Sequence, residues 1–166
     1  MLTRGIGIRA SISRNPHIDA STDKNAIYAA LMPAVSGTAF KGARRQPKGP
    51  WANSGFGLYM TNRICRNGGT FFIASGDTGI LLTSRGEGKR VFPAQFNGTA
   101  VRMVIRTKQL LELDKALEMY RADGYAIQKK YQEIVAINPS AASLMLSKDF
   151  EPSLLDRLLK PLKPNA

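Results

Sequence analysis

The run Gly55-Phe56-Gly57-Leu58 constrains this chain more than any other feature, because a Gly-x-Gly step stands directly ahead of a helical pattern. Glycine lacks a Cβ, so the backbone here can take positive φ and approach another group closely. The first N–H groups of a helix have no intrahelical acceptor and point outward with the positive end of the dipole, which favours phosphate. Leu58, Thr61, Ile64 and Cys65 share one face and predict a helix over Gly57–Asn67, stopped by Asn67-Gly68-Gly69. A plain tight turn uses the same residues, so the step takes its meaning from its surroundings.

Upstream, Gly5-Ile6-Gly7 predicts a turn, and a helix begun at Arg9–Asn15 is limited by Pro16. Ser21-Thr-Asp-Lys is an N-cap cluster, and the apolar residues from Ala26 to Leu31 predict a helix over Thr22–Met32. Val35–Ser54 is a basic loop with Lys41, Arg44, Arg45 and Lys48, either a linker or a functional lid. Thr70–Ser75 alternates as a strand, and Gly76-Asp77 predicts a hairpin turn before Ile80–Thr83. Ser84–Asn97 is a polar excursion, and Thr99–Arg106 predicts a strand with Val101, Met103 and Ile105 on one face. From Lys108 the period becomes helical through Leu110, Leu111, Leu113, Leu117 and Tyr120. Tyr125–Ile137 resumes after Gly124, with shorter pieces at Ala141–Leu146 and Pro152–Leu159.

The chain has 166 residues, 43% of them hydrophobic, which suits one domain with or without an appendage. Its formal charge of +12 asks for an anionic partner. Met1–Ser54 carries 8 Lys/Arg against 2 Asp/Glu, and Gly55–Thr107 carries 7 against 2. Lys108–Ala166 is nearly balanced at 9 against 8. Nucleotide phosphates, nucleic acid and an acidic protein all fit such a surface. The single cysteine, Cys65, excludes an intrachain disulfide, and the single histidine, His17, leaves little for a catalytic dyad. No apolar run reaches the roughly 18 residues of a membrane span, and no signal-peptide core is present, so the expectation is a cytoplasmic protein with no membrane partner.

Four segments in order resemble the GHKL ATPases, the superfamily of gyrase, the heat-shock chaperone, histidine kinases and mismatch-repair ATPases. Gly55-Phe-Gly-Leu-Tyr, Arg63-Ile64 and Gly68-Gly69-Thr-Phe-Phe-Ile-Ala-Ser75 resemble its second glycine box and following strand. Arg4-Gly5-Ile6-Gly7-Ile8 resembles its first glycine box, Pro33-Ala-Val-Ser-Gly-Thr38 the start of its mobile lid, and Phe96-Asn-Gly-Thr-Ala-Val101 its last strand. The nearest subtype is the stand-alone bacterial ATP-binding protein of the histidine-kinase-like branch.

The resemblance implies an α+β fold of Bergerat type, a mostly antiparallel sheet covered by helices. Residues 1–107 would form the nucleotide-binding region, and residues 108–166 a helical extension. It implies ATP as ligand, with Gly55, Gly57 and Leu58 facing the phosphates and Gly37, Thr38 and Lys41 in the closing lid. Gly5, Gly7 and Thr99 would frame the adenine. Thr3 stands where the family has the Asp that receives the adenine amino group. The helix whose Asn binds magnesium would lie upstream of Met1, so the expectation is a truncated or degenerate module that binds ATP without turning it over. A basic nucleic-acid-binding protein, and a protein-interaction or self-associating module docking through the C-terminal helices, are the alternatives.

Overall fold

The computed structural model describes residues 2–3, 5–40, 43, 55–84 and 89–130. Together they form an α+β arrangement in which helices cover one face of an antiparallel sheet. The order is β1 (Leu2–Thr3), α1 (Gly7–Ile12), α2 (Asp23–Ala30), α3 (Phe56–Arg66), β2 (Thr70–Thr83) and β3 (Lys89–Val104). A 3-10 turn (Thr107–Glu112) then leads into α4 (Leu113–Lys130). The sheet order is β1-β3-β2, all pairs antiparallel. The expected helical pieces beyond Lys130 lie outside the described residues.

Local chemistry accounts for two of the helix starts. Thr22 is extended and its hydroxyl accepts the Asn25 N–H at 3.1 Å, while Asp23 sits in the first turn of α2, at the positive end of the dipole. Gly55 enters α3 at φ +74°, and at the far end the Gly69 N–H donates to the Cys65 carbonyl at 3.0 Å. The first helix begins earlier than its sequence suggests, at Gly7 rather than Arg9, and ends at Ile12.

Two apolar cores meet on α3. Ile27, Cys65, Phe71, Ile73, Ile80 and Leu82 are buried between the helices and the sheet, with Ile8, Tyr28, Leu31, Leu58 and Val101 packed against them. Each fully buried Phe or Ile there contributes about 1.5–3 kcal/mol. On the other side of α3, Phe56, Tyr59 and Met60 pack with Leu117 and Tyr120 of α4. Burial pushes the Tyr59 and Tyr120 phenols up, and the Tyr59 hydroxyl donates to the Tyr120 carbonyl at 3.2 Å. Arg63 pairs with Asp123 at 2.7 Å and lies over the Tyr120 ring at 4.8 Å.

The strands differ from the sequence expectation in three ways. Gly76-Asp77 is not a hairpin turn: it lies inside one continuous strand, opposite a bulge in β3. The register runs from Ser75↔Thr99 to Gly76↔Phe96 to Thr78↔Pro93, so β3 absorbs the extra residues. Gly76 has φ +62°, a Cβ there would collide with the Asp23 carboxylate, and that carboxylate accepts the Asp77 N–H at 3.0 Å. Lys89–Phe96, expected as a polar excursion, is instead the first half of β3, paired with β2. Among the described residues that half is an edge, since β1 reaches only Thr99 and Ala100, and an edge tolerates Pro93. Finally, Met103 and Ile105 do not join Val101 in the core: both lie about half exposed, and Ile105 is past the strand's end.

Gly124 does not interrupt α4. A Cβ at Gly124 would stand 3.0 Å from ring carbons of both Phe56 and Tyr59, so the absence of a side chain sets how closely the two helices approach. Gly124→Leu is therefore expected to overpack this junction and cost about 1–3 kcal/mol. Urea unfolding should show a lower midpoint at unchanged slope, and an unaltered midpoint would mean that α4 does not rest on α3 in solution.

Candidate functional site

A cleft of about 390 Å³ opens where α1, α2, the start of α3 and strand β3 converge. Its first wall is the Gly5-Ile6-Gly7 turn. Gly7 takes φ +77°, and the Ile8 N–H donates to the Ser75 hydroxyl at 3.0 Å. That hydroxyl donates in turn to the Gly98 carbonyl at 2.7 Å, and Ser75 is fully buried. One side chain thus fixes the beginning of α1 to both long strands.

The second wall is the segment after α2. Asn15, wholly buried, donates through Nδ2 to the Ser36 carbonyl at 3.0 Å and accepts the His17 N–H at 3.0 Å. Ser36 accepts the Thr38 N–H at 3.2 Å. Gly37 presses against the Ser11 carbonyl with no room for a Cβ. The start of the loop is consequently packed into the fold.

The third wall is the beginning of α3. A Cβ on Gly55 would collide with the Val35 backbone, which explains a glycine at that left-handed position. Gly57 is the opposite case: a Cβ there would meet nothing within 4 Å, and its face is open. Helix α3 has no side-chain cap, no acidic residue in its first turn, and Arg63 and Arg66 in its last. Its amino end is left with the positive pole of the dipole toward the cleft.

Of the residues expected from sequence, Gly5, Gly7, Gly37, Gly55, Gly57, Leu58 and Thr99 all line this one space. Thr3 is the cross-strand neighbour of Thr99 in β1. Thr38 is exposed and lies beside the cleft, joined to Ser36, and Lys41 falls outside the described residues. Ser11, Ser36, Ser75 and Asn15 were not singled out by sequence. A hydroxyl or amide becomes informative only when its distant partner is known, and nothing local distinguishes these from surface residues.

No charged side chain lines the cleft among the described residues. The sequence sharpens this, because Asp19 and Asp23 are the only acids before Asp77. Asp19 is exposed and held below its usual carboxyl range, first by the Ser21 hydroxyl and then by the Ser21 N–H, with Asn25 adding a hydrogen bond. Asp23 is engaged at the bulge. Among the described residues no group of three or more His, Cys, Asp or Glu could hold a metal, and no helix is long and apolar enough to cross a membrane.

The chain matches no protein-family model, no curated protein and no solved structure.

Ser75→Ala removes the bridge and leaves the Ile8 N–H and the Gly98 carbonyl without it. The expected cost is about 1–3 kcal/mol. Hydrogen exchange should show faster opening at the Ile8 amide, and protection equal to the parent protein would show that the bridge does not hold the turn.

Proposed function

We propose that this chain is an ATP-binding module of histidine-kinase-like GHKL type, with a Bergerat-type arrangement of sheet and helices, that binds nucleotide without turning it over. The observation that carries the reading is the convergence of two Gly-x-Gly turns, Gly5–Gly7 and Gly55–Gly57, on one cleft with Gly37 and Thr99. Phosphate oxygens would sit at the start of α3, where Gly57 leaves open space and the helix dipole favours an anion. The base would lie toward Gly5, Gly7 and Thr99, against Ile8 and Ile12.

The glycine walls suit a polyphosphate. They do not suit a resident magnesium ion, which favours carboxylate oxygens that are missing among the described residues of the cleft. The same lack removes the usual groups for orienting an attacking water. What the chain's own residues supply is binding: backbone N–H groups at the phosphates and an apolar slot for the base.

Gly57→Val tests the phosphate contact with little disturbance of the fold. Its Cβ meets no neighbour, and valine is no worse than glycine within a helix. Isothermal titration with a non-hydrolysable ATP analogue should show saturable binding to the parent chain and at least a tenfold loss in a variant that melts at the same temperature. Unchanged affinity in the folded variant would remove the basis of the reading.

Turnover is the second expectation. Phosphate release by the 166-residue chain with ATP and magnesium should equal the buffer blank. Release that disappears in Gly57→Val would mean that this cleft contains catalytic groups after all.

A further inference from the structure

The ribbon of β2 and β3 has a second face, turned away from the helices and the cleft. Side chains alternate along a strand. With Phe71, Ile73, Ile80 and Leu82 buried between helices and sheet, Phe72, Ala74, Gly79 and Leu81 look the other way. Their cross-strand partners share that side: Arg102 beside Phe72, Phe92 beside Gly79 and Arg90 beside Leu81. This face is concave. Gly79 lies five residues beyond Ala74, about 16 Å along a straight strand, yet a Cβ on Gly79 would stand 3.7 Å from that of Ala74 and 3.2 Å from the Phe72 ring. The ribbon therefore folds toward this side at the bulge opposite Gly76-Asp77. Phe92 is 41% exposed there, and Arg90 and Arg102 are exposed as well. The two strands carry Lys89, Arg90 and Arg102 against Asp77 alone. Lys89 turns to the helix side, over the Tyr28 ring at 3.6 Å, and the Asp77 carboxylate accepts the Thr78 hydroxyl at 2.6 Å. The concave side thus sets aromatic rings beside guanidinium groups.

We propose that this face binds single-stranded nucleic acid, with a base stacked against Phe92 and phosphates held by Arg90 and Arg102. Every base has a flat π-face, and an exposed ring on a sheet offers the matching surface. A guanidinium meets phosphate oxygens through paired N–H donors. A duplex keeps its base faces stacked on one another, so it can use only the two cations. An anionic membrane is entered by apolar groups that project from a surface, whereas this face curves inward. The surface stands apart from the nucleotide cleft, so neither reading depends on the other.

The test is fluorescence anisotropy of the 166-residue chain with a labelled single-stranded 20-mer and with the duplex of the same sequence, over a range of salt. The single strand should bind at least fivefold tighter than the duplex. Phe92→Ala should lose at least fivefold for the single strand, in line with the stacking of one base, while melting at the parent temperature. The double variant Arg90→Gln, Arg102→Gln should reduce the slope of log affinity against log salt by about 1.4. Equal affinity for strand and duplex, or none for either, overturns the proposal, as does an unchanged affinity in folded Phe92→Ala. Co-sedimentation with phosphatidylserine vesicles that exceeds oligonucleotide binding and falls with Phe92→Ala also overturns it, in favour of a lipid surface. The comparison of strand and duplex on the parent chain decides the matter whether or not the variants fold.

Discussion

The Ser75 hydroxyl occupies a position on which the geometry of the cleft depends. It accepts from the first turn of α1 and donates to the Gly98 carbonyl in β3, while its own backbone belongs to β2. Three segments far apart in sequence therefore meet at one oxygen. The cost of leaving either partner unpaired in a buried setting exceeds the net gain of an ordinary exposed hydrogen bond. Since Gly7 packs directly over this oxygen, at 3.1 Å from its would-be Cβ, a side chain there would crowd it. The Gly5-Ile6-Gly7 turn is thus set by the sheet beneath it.

Helix α3 transmits that order to the opposite wall. Leu58 and Cys65 face the sheet core, while Phe56, Tyr59 and Met60 face α4. A helix gripped on two sides has little freedom to rotate, so its amino end holds a fixed direction relative to Gly7 and Thr99. Gly57 belongs to neither core. Its freedom from packing is the complement of Gly55, whose backbone presses against Val35. The two glycines of one short motif thus do different work: one allows a tight turn against the protein, and the other leaves room in front of it.

What the sequence made legible was local. The Thr22 cap, the glycine step before α3 and its glycine stop each act through neighbours a few residues away, and each stands close to where local chemistry puts it. What it hid depends on partners far along the chain. A Gly-Asp pair signals a hairpin by itself, whereas here it runs through a continuous strand, and its Asp77 N–H goes to Asp23, 54 residues away. Lys89–Phe96 looks like loop because an edge strand keeps polar residues and tolerates proline, and its strand character comes from β2. Gly124 resembles a break until the Phe56 and Tyr59 rings account for it. Seven glycine, leucine and threonine positions that line the cleft could be named in advance, whereas Asn15 and Ser75, buried behind its walls, could not.

The placement of charge along α3 bears on the proposed anion site. Within α3 the basic residues stand in the last turn, where Arg63 meets Asp123 and Arg66 meets the Thr83 carbonyl. Cations at that end complement the negative pole of the helix, an effect of about 0.3–1 kcal/mol each at exposed positions. The amino end has no acid in its first turn and no side-chain cap. An Asp or Glu there would already satisfy the positive pole and repel a phosphate. The sequence Gly55-Phe56-Gly57-Leu58 offers neither carboxylate nor hydroxyl, so the pole has no charged partner from its own turn. An anion at the proposed site would then be held by backbone dipoles in a confined space, since no charged side chain lines the cleft among the described residues.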